Sequence, residues 1–147
     1  MTTHHIQLAI KASPDRVWDA LVDGSITPAY YVGFEAKFDL TEGAPYAYTA
    51  GGGDMITGIV TGVEPGSTLA TTFNGHWDPA IAELAESTVI FELGEPAMPL
   101  PGITVLSCRH DGLDDSPAAM SLESGWVTIL SGLKTLLETG RPMVDAA

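Results

Sequence analysis

Among the side chains able to move a proton or grip a ligand, His110 closes a strand-like run, Ile103 to His110, whose alternation puts Leu106, Cys108 and His110 on one face. An imidazole there has a pKa near neutrality and can exchange a proton with a carbonyl ligand or hydrogen-bond to it. Bonded instead to a neighbouring loop, the same ring would be structural, and both readings stand. Tyr46 and Tyr48 also share a strand face and offer apolar rings with polar tips, Tyr46 being the second candidate for proton transfer. Alternation alone leaves open whether that face points inward. Tyr30, Tyr31 and Phe34 cluster around a short helix and suit an entrance to a pocket. Trp77, between His76 and Asp78 in a polar link, is either a lid or a surface anchor. Glu86 and Ser87 follow it and are candidates for a polar patch with His110. The other candidate ligand contacts are Met55, Phe73, Phe91, Leu106, Cys108, Trp126 and Leu130, apolar or soft side chains that serve equally as core and as pocket wall.

More specific catalytic patterns are missing. There is no GxSxG elbow, no HExxH helix, and no Walker lysine after Gly51-Gly52-Gly53, a run that reads as a hairpin turn. His4 and His5 point to opposite faces of a strand and cannot hold one ion together, so neither a metal nor a cofactor is expected. Cys108 is the only cysteine, which excludes an internal disulfide and reads as an inert buried thiol.

Charge narrows the partners. Nineteen acidic residues against six basic ones give a net charge of −13 and a pI near 4.3, with no basic stripe to replace the counterions around phosphates. Nucleic acid and anionic membranes are therefore excluded as expected partners. No apolar run reaches the roughly 18 residues of a membrane helix, and Met1-Thr2-Thr3-His4-His5 lacks the features of a signal peptide, so a cytoplasmic location is expected. The 147 residues are 45% hydrophobic, with a mean hydropathy of +0.18, which fits one domain over residues 1–147 and argues against disorder.

The elements that must position these residues are legible in outline. Ile6, Leu8 and Ile10 alternate through a first strand, His5 to Lys11. Ser13 then caps a helix with Pro14 at its first position, Val17, Trp18, Leu21 and Val22 on one face, and Gly24 as its stop. A second short helix is predicted over Thr27 to Val32. Strands follow near Phe34 to Asp39, Pro45 to Thr49, Met55 to Val63, Thr68 to Phe73, Ser87 to Leu93 and Ile103 to His110, separated by turn residues. The link Asn74 to Glu86 is long enough for a helical turn. After Pro117 a long helix carries Trp126, Ile129, Leu130, Leu133, Leu136 and Leu137 on one face and stops at Gly140. This order predicts an α+β domain, with the last helix across the concave face of an antiparallel sheet.

Four segments in this order resemble the START-like (SRPBCC) helix-grip superfamily, in particular the family related to the activator of Hsp90 ATPase. They are Ile10 to Leu21, Gly58 to Leu69, Ser87 to Leu93, and Gly125-Trp126 through Leu133-Lys134 to Gly140. The resemblance implies a curved antiparallel sheet of six to seven strands wrapped around the C-terminal helix, with a pocket between them and a histidine, here His110, at the end of the last strand. Tyr30-Tyr31-Val32-Gly33 departs from it, standing where many relatives carry a tryptophan-containing segment. Three functions stay open. The first is binding of a hydrophobic or aromatic small molecule in that pocket. A second is a cyclase or aromatase resembling those of polyketide synthesis, with a pocket His or Tyr moving protons. The third is a protein-interaction module like the Hsp90 activator, which the acidic surface disfavours on an acidic chaperone. The partners these readings admit are a hydrophobic small molecule and a second copy of the chain as a homodimer.

Overall fold

A computed structural model describes residues 1–144. Its elements are β1 (Thr2–Ile10), α1 (Pro14–Val22), a 3-10 turn (Thr27–Ala29), β2 (Glu35–Phe38), β3 (Pro45–Ala50), β4 (Gly53–Glu64), β5 (Thr68–Gly75), α2 (Pro79–Ala82), β6 (Ser87–Gly94), β7 (Thr104–Leu113) and α3 (Pro117–Thr139). The strands form one antiparallel, curved and unclosed sheet in the order β1-β7-β6-β5-β4-β3-β2. Every strand from β2 to β7 pairs with its neighbour in sequence. Only β1 is displaced to the far edge, and α1 with the 3-10 turn carries the chain across to β2. The helix-grip architecture expected from sequence is therefore the one observed.

Local chemistry explains where the elements stop. Ser13 accepts a hydrogen bond from the Arg16 amide at 3.3 Å to start α1, and Ser116 does the same for α3 from the Ala119 amide at 3.2 Å. Gly140, at φ +78, ends α3 with its amide bonded to the Leu136 carbonyl at 2.8 Å. Gly51 and Gly52 take φ of +60 and +81 in the turn joining β3 to β4, as the hairpin reading required.

Three expected boundaries move. The helix after the first strand ends on Asp23, in extended conformation, rather than on Gly24. Glycine is needed at 24 for a different reason: a Cβ there would lie 2.3 Å from the Ala36 carbonyl oxygen. The second helix shrinks from Thr27–Val32 to the 3-10 turn. Val32 and Gly33 take φ of +46 and +79 and swing the chain into β2, while the Thr27 hydroxyl donates to the Phe34 carbonyl and accepts from the Ala36 amide, both at 2.9 Å. Finally, β1 starts at Thr2 and ends at Ile10, and β7 runs on to Leu113, because these two strands pair over almost their whole lengths. The helical turn expected in the Asn74–Glu86 link is α2, capped by Asp78, which accepts from the Ala80 amide at 2.8 Å.

Candidate functional site

The sheet's inner face meets α3 through aromatic rings. Trp126 of α3 packs edge-on against Phe91 of β6, with ring centres 5.7 Å apart, and against Tyr31 at 6.0 Å. Tyr46 and Tyr48 both turn inward and are buried, which answers the question alternation left open. Gly58, paired with Tyr46 across β3 and β4, makes that geometry feasible: a Cβ at 58 would come within 2.8 Å of the Tyr46 ring and 2.4 Å of the Thr72 carbonyl oxygen. The Tyr46 ring instead lies across the strand and donates its hydroxyl to that carbonyl. Phe38 stacks on its other face at 5.1 Å.

His110 is fully buried, and both of its nitrogens are engaged. The Trp126 indole N–H donates to Nδ1 at 3.0 Å, so Nδ1 carries no proton and Nε2 carries it; Nε2 then faces the Ser87 Oγ at 2.7 Å. Ser87 donates onward to the Phe73 carbonyl at 3.5 Å. Burial pulls the imidazole down to about 4, with His4 across the β1–β7 pair adding to the effect and Asp111 opposing it. The ring is neutral at physiological pH and has no lone pair left for a ligand. The anticipated polar patch is thus half formed: Ser87 joins His110, while Glu86 turns outward and accepts from the Asn74 side chain at 2.9 Å.

Two chambers adjoin this wall. The outer one has a volume of about 390 Å³. Its floor is α3, with Ser121, Leu122, Gly125, Trp126 and Ile129; its sides are Ile56 of β4 and Phe73 of β5; its mouth is formed by Tyr31, Val32, Phe34 and Trp77. Trp77 lies across the opening, 40% exposed, with ring centres 6.3 Å from Phe34 and 6.2 Å from Phe73. Gly75 makes room for it, since a Cβ there would sit 2.7 Å from the indole. His76 fastens the segment, its amide bonded to the Met55 carbonyl at 2.8 Å and its Nε2 2.7 Å from the Thr57 hydroxyl. The inner chamber, between the sheet and Trp126, holds only about 10 Å³ and is ringed by Tyr31, Phe38, Tyr46, Tyr48, Phe73 and Phe91 among others. That is room for about one water molecule. Tyr31, Phe73 and Trp126 border both chambers and form the partition between them.

The anticipated contacts divide accordingly. Tyr31, Phe34, Phe73, Trp77 and Trp126 line the outer chamber, and Tyr46, Tyr48 and Phe91 the inner one. Five others do not join them. Met55 sits on the opposite face of β4 from Ile56, which is buried and takes the wall position. Leu106, Cys108 and Leu130 are buried in the core and border neither chamber, and burial pushes the Cys108 thiol well up. Tyr30 is fixed elsewhere, its hydroxyl donating to the Ala20 carbonyl, and borders a separate groove with Gly132 and Met143. Among the wall residues not anticipated, Gly125 is the most telling. A glycine in the middle of a helix costs about 1 kcal/mol against alanine, and nothing lies within 4 Å of the Cβ position, so no neighbour demands its smallness. Its smallness leaves the chamber open.

Residues 11–138 match the family described as Activator of Hsp90 ATPase homolog 1-like protein, and the chain belongs to that family. Its fold is similar to protein MLL2253 of Mesorhizobium loti, at 27% identity and a TM-score of 0.74, over 93% of this chain and 97% of that one. DynU16, a putative protein in the dynemicin biosynthetic locus, is similar at 23% identity and a TM-score of 0.75 over 95% of this chain, which corresponds to 48% of that one. The Aha1 dimer of Colwellia psychrerythraea is similar at 19% identity and a TM-score of 0.74, over 95% of this chain and 98% of that one. No curated protein sequence matches the chain. Among the described residues no helix is long and apolar enough to cross a membrane, and no group of His, Cys, Asp or Glu is placed to hold a metal.

Proposed function

We propose that the protein binds a neutral, mainly apolar small molecule in the outer chamber between the sheet and α3. The observation that carries this reading is the wall itself: about 390 Å³ bordered by aromatic and aliphatic side chains, with no charged group among its lining residues. Such a volume falls in the usual range of ligand pockets, and a few polar tips among apolar walls are their usual composition. An ion would have to shed its hydration there without a counter-charge, which disfavours charged ligands.

Cyclase-like proton transfer has less support in this geometry. His110 has both nitrogens engaged, and the Tyr46 hydroxyl is bonded to the Thr72 carbonyl with burial pushing it up to about 12. These two residues act in this reading as positioning groups for Trp126 and the inner wall. A role on a partner protein, as the family description suggests, would use the outer surface and leave the chamber's contents irrelevant.

Gly125→Phe separates these readings. Nothing lies within 4 Å of the Cβ position at 125, and a ring placed there projects into the chamber. Native mass spectrometry of the wild type purified from its own host is expected to show a retained noncovalent adduct that Gly125→Phe, still folded, has lost. An adduct carried equally by both proteins, or no adduct and no binding of any apolar probe by the wild type, would sink the proposal.

A further inference from the structure

Beside the outer chamber lies a second hollow of about 330 Å³, bordered by Ala29 and Tyr30, by Thr128 and Gly132 of α3, and by Met143 and Val144 of the segment after α3. The two hollows share a residue, since Val32 borders both. They also share a floor. Gly125 lies under the outer chamber and Gly132 under the groove, seven residues apart and therefore on one face of α3, about 10 Å from each other along its axis. Glycine weakens a helix interior relative to alanine, yet packing demands neither one. The Cβ position at 125 has no neighbour within 4 Å, and a Cβ at 132 would meet Tyr30 at 3.5 Å and Met143 at 3.8 Å, which is ordinary contact. What the two glycines preserve is depth in both hollows.

The chemistry of the two hollows is the same. The chain has 19 acidic residues, but among the described residues no charged side chain borders either hollow. The hydroxyls of the groove are spent within the protein, Thr128 donating to the Ser124 carbonyl at 3.2 Å and Tyr30 to the Ala20 carbonyl. Large apolar side chains stay exposed along both rims, Trp77 at the chamber and Met143 and Val144 at the groove. Val32, the divider, is itself 65% exposed and held at φ +46. A left-handed conformation is unfavourable for a β-branched residue, and strain of this kind clusters at ligand clamps and switch segments.

We propose that the outer chamber and the groove are two compartments of one trough that passes Val32, and that the ligand is an elongated, uncharged, hydrocarbon-rich molecule lying along α3. A compact ligand would fill the chamber and leave the groove and its apolar rim in water. A long one covers both, and each methylene equivalent it takes out of water is worth about fourfold in affinity. With no polar group free in the groove, that end of the trough selects by length and apolar surface alone. This inference rests on the outer chamber being the binding site, and it adds to that reading the shape of the ligand and the second compartment that holds it.

The test uses 1,6-diphenylhexatriene, a rod, and triphenylene, a disc, two hydrocarbons of equal carbon number whose binding to the full chain is followed by fluorescence anisotropy. Thr128→Phe and, from the other wall, Ala29→Phe each fill the groove from an exposed position. Each is expected to keep the wild-type melting temperature, to weaken the rod about tenfold, the worth of about two methylene equivalents, and to leave the disc within about twofold of the wild type. Gly125→Phe, which fills the chamber, should weaken both probes. A rod affinity unchanged or raised in the folded groove variants, or a disc weakened as much as the rod, would overturn the trough while the chamber reading stands. A dimer of the ligand-free chain in sedimentation velocity that either groove substitution dissociates would assign the groove to a second copy and overturn the trough as well. Failure of the wild type to bind either probe would remove the chamber reading and this one with it.

Discussion

Acidification should unlock the wall that His110 holds. The imidazole has an ordinary value of 6.5 and is pulled down to about 4 in the fold, chiefly by burial. Because the folded value is depressed, the unfolded chain binds the extra proton first. The contribution of the neutral ring is therefore complete above about pH 6.5 and is lost as the pH falls towards 4. Between pH 7 and pH 5 a free histidine goes from largely neutral to almost wholly protonated, whereas the buried one stays about nine-tenths neutral, a loss of about 2 kcal/mol of stability. The clean comparison is urea unfolding of the wild type and of His110→Gln at both pH values, since surface groups titrate alike in the two proteins. The variant should be less stable at pH 7 but should lose about 2 kcal/mol less on going to pH 5. Near pH 4 the protonated Nδ1 can no longer accept from the Trp126 indole, and the wild type's tryptophan emission should change with an apparent pKa close to that value. If the two proteins lose stability in parallel between pH 7 and pH 5, the network around His110 does not exist as described.

Two further outcomes test the packing around the chambers. Gly125→Ala should raise stability by about 1 kcal/mol, or about 2–4 °C in Tm by thermal melting, because it improves helix propensity where no neighbour is crowded; a destabilised variant would show that something else occupies the space. Gly58→Ala should destabilise by about 1–3 kcal/mol in denaturant titration, as its Cβ would press on the Thr72 carbonyl and the Tyr46 ring. A neutral result at 58 would mean that Tyr46 does not lie across that strand.

Much of the scaffold was legible because its signals are local. Ser13-Pro14, Pro117 and Gly140 mark helix ends by hydrogen-bonding and dihedral rules that need no partner, and alternation in β1 and β7 already paired inward with outward residues. What failed was decided at a distance. Gly24 sits where a helix stop is plausible, but its requirement comes from Ala36, twelve residues away on β2. The partnership of His110 with Ser87 is among the sequence expectations, while its bond from the Trp126 indole, sixteen residues on and in a helix, has no spacing that signals it. Met55 and Ile56 could not be separated without knowing which face of β4 turns inward. Gly125 carried a readable signal, a glycine inside a strong helical pattern, although its meaning required seeing the open space above it.

The two sides of the chamber differ in how they are held, and that difference bears on how a ligand would enter. Trp126 and Phe73 belong to a wall tied together by hydrogen bonds: indole to imidazole, imidazole to Ser87, Ser87 to the Phe73 carbonyl. Moving any member breaks a buried bond, at about 1–3 kcal/mol each. The opposite side is Tyr31, Val32, Phe34 and the Trp77 ring, which meet one another by aromatic and apolar contact. Those four side chains make no hydrogen bond of their own to any described residue, so sliding them past one another sacrifices no side-chain bond, and straightening Val32 relieves backbone strain. Opening should therefore occur at the turn before β2 and at the Trp77 segment, with the sheet and α3 unmoved. Hydrogen exchange on adding an apolar ligand would show it: protection should change at residues 31–34 and 76–78, and a change centred on β6 or β7 instead would refute the division into a fixed and a movable wall.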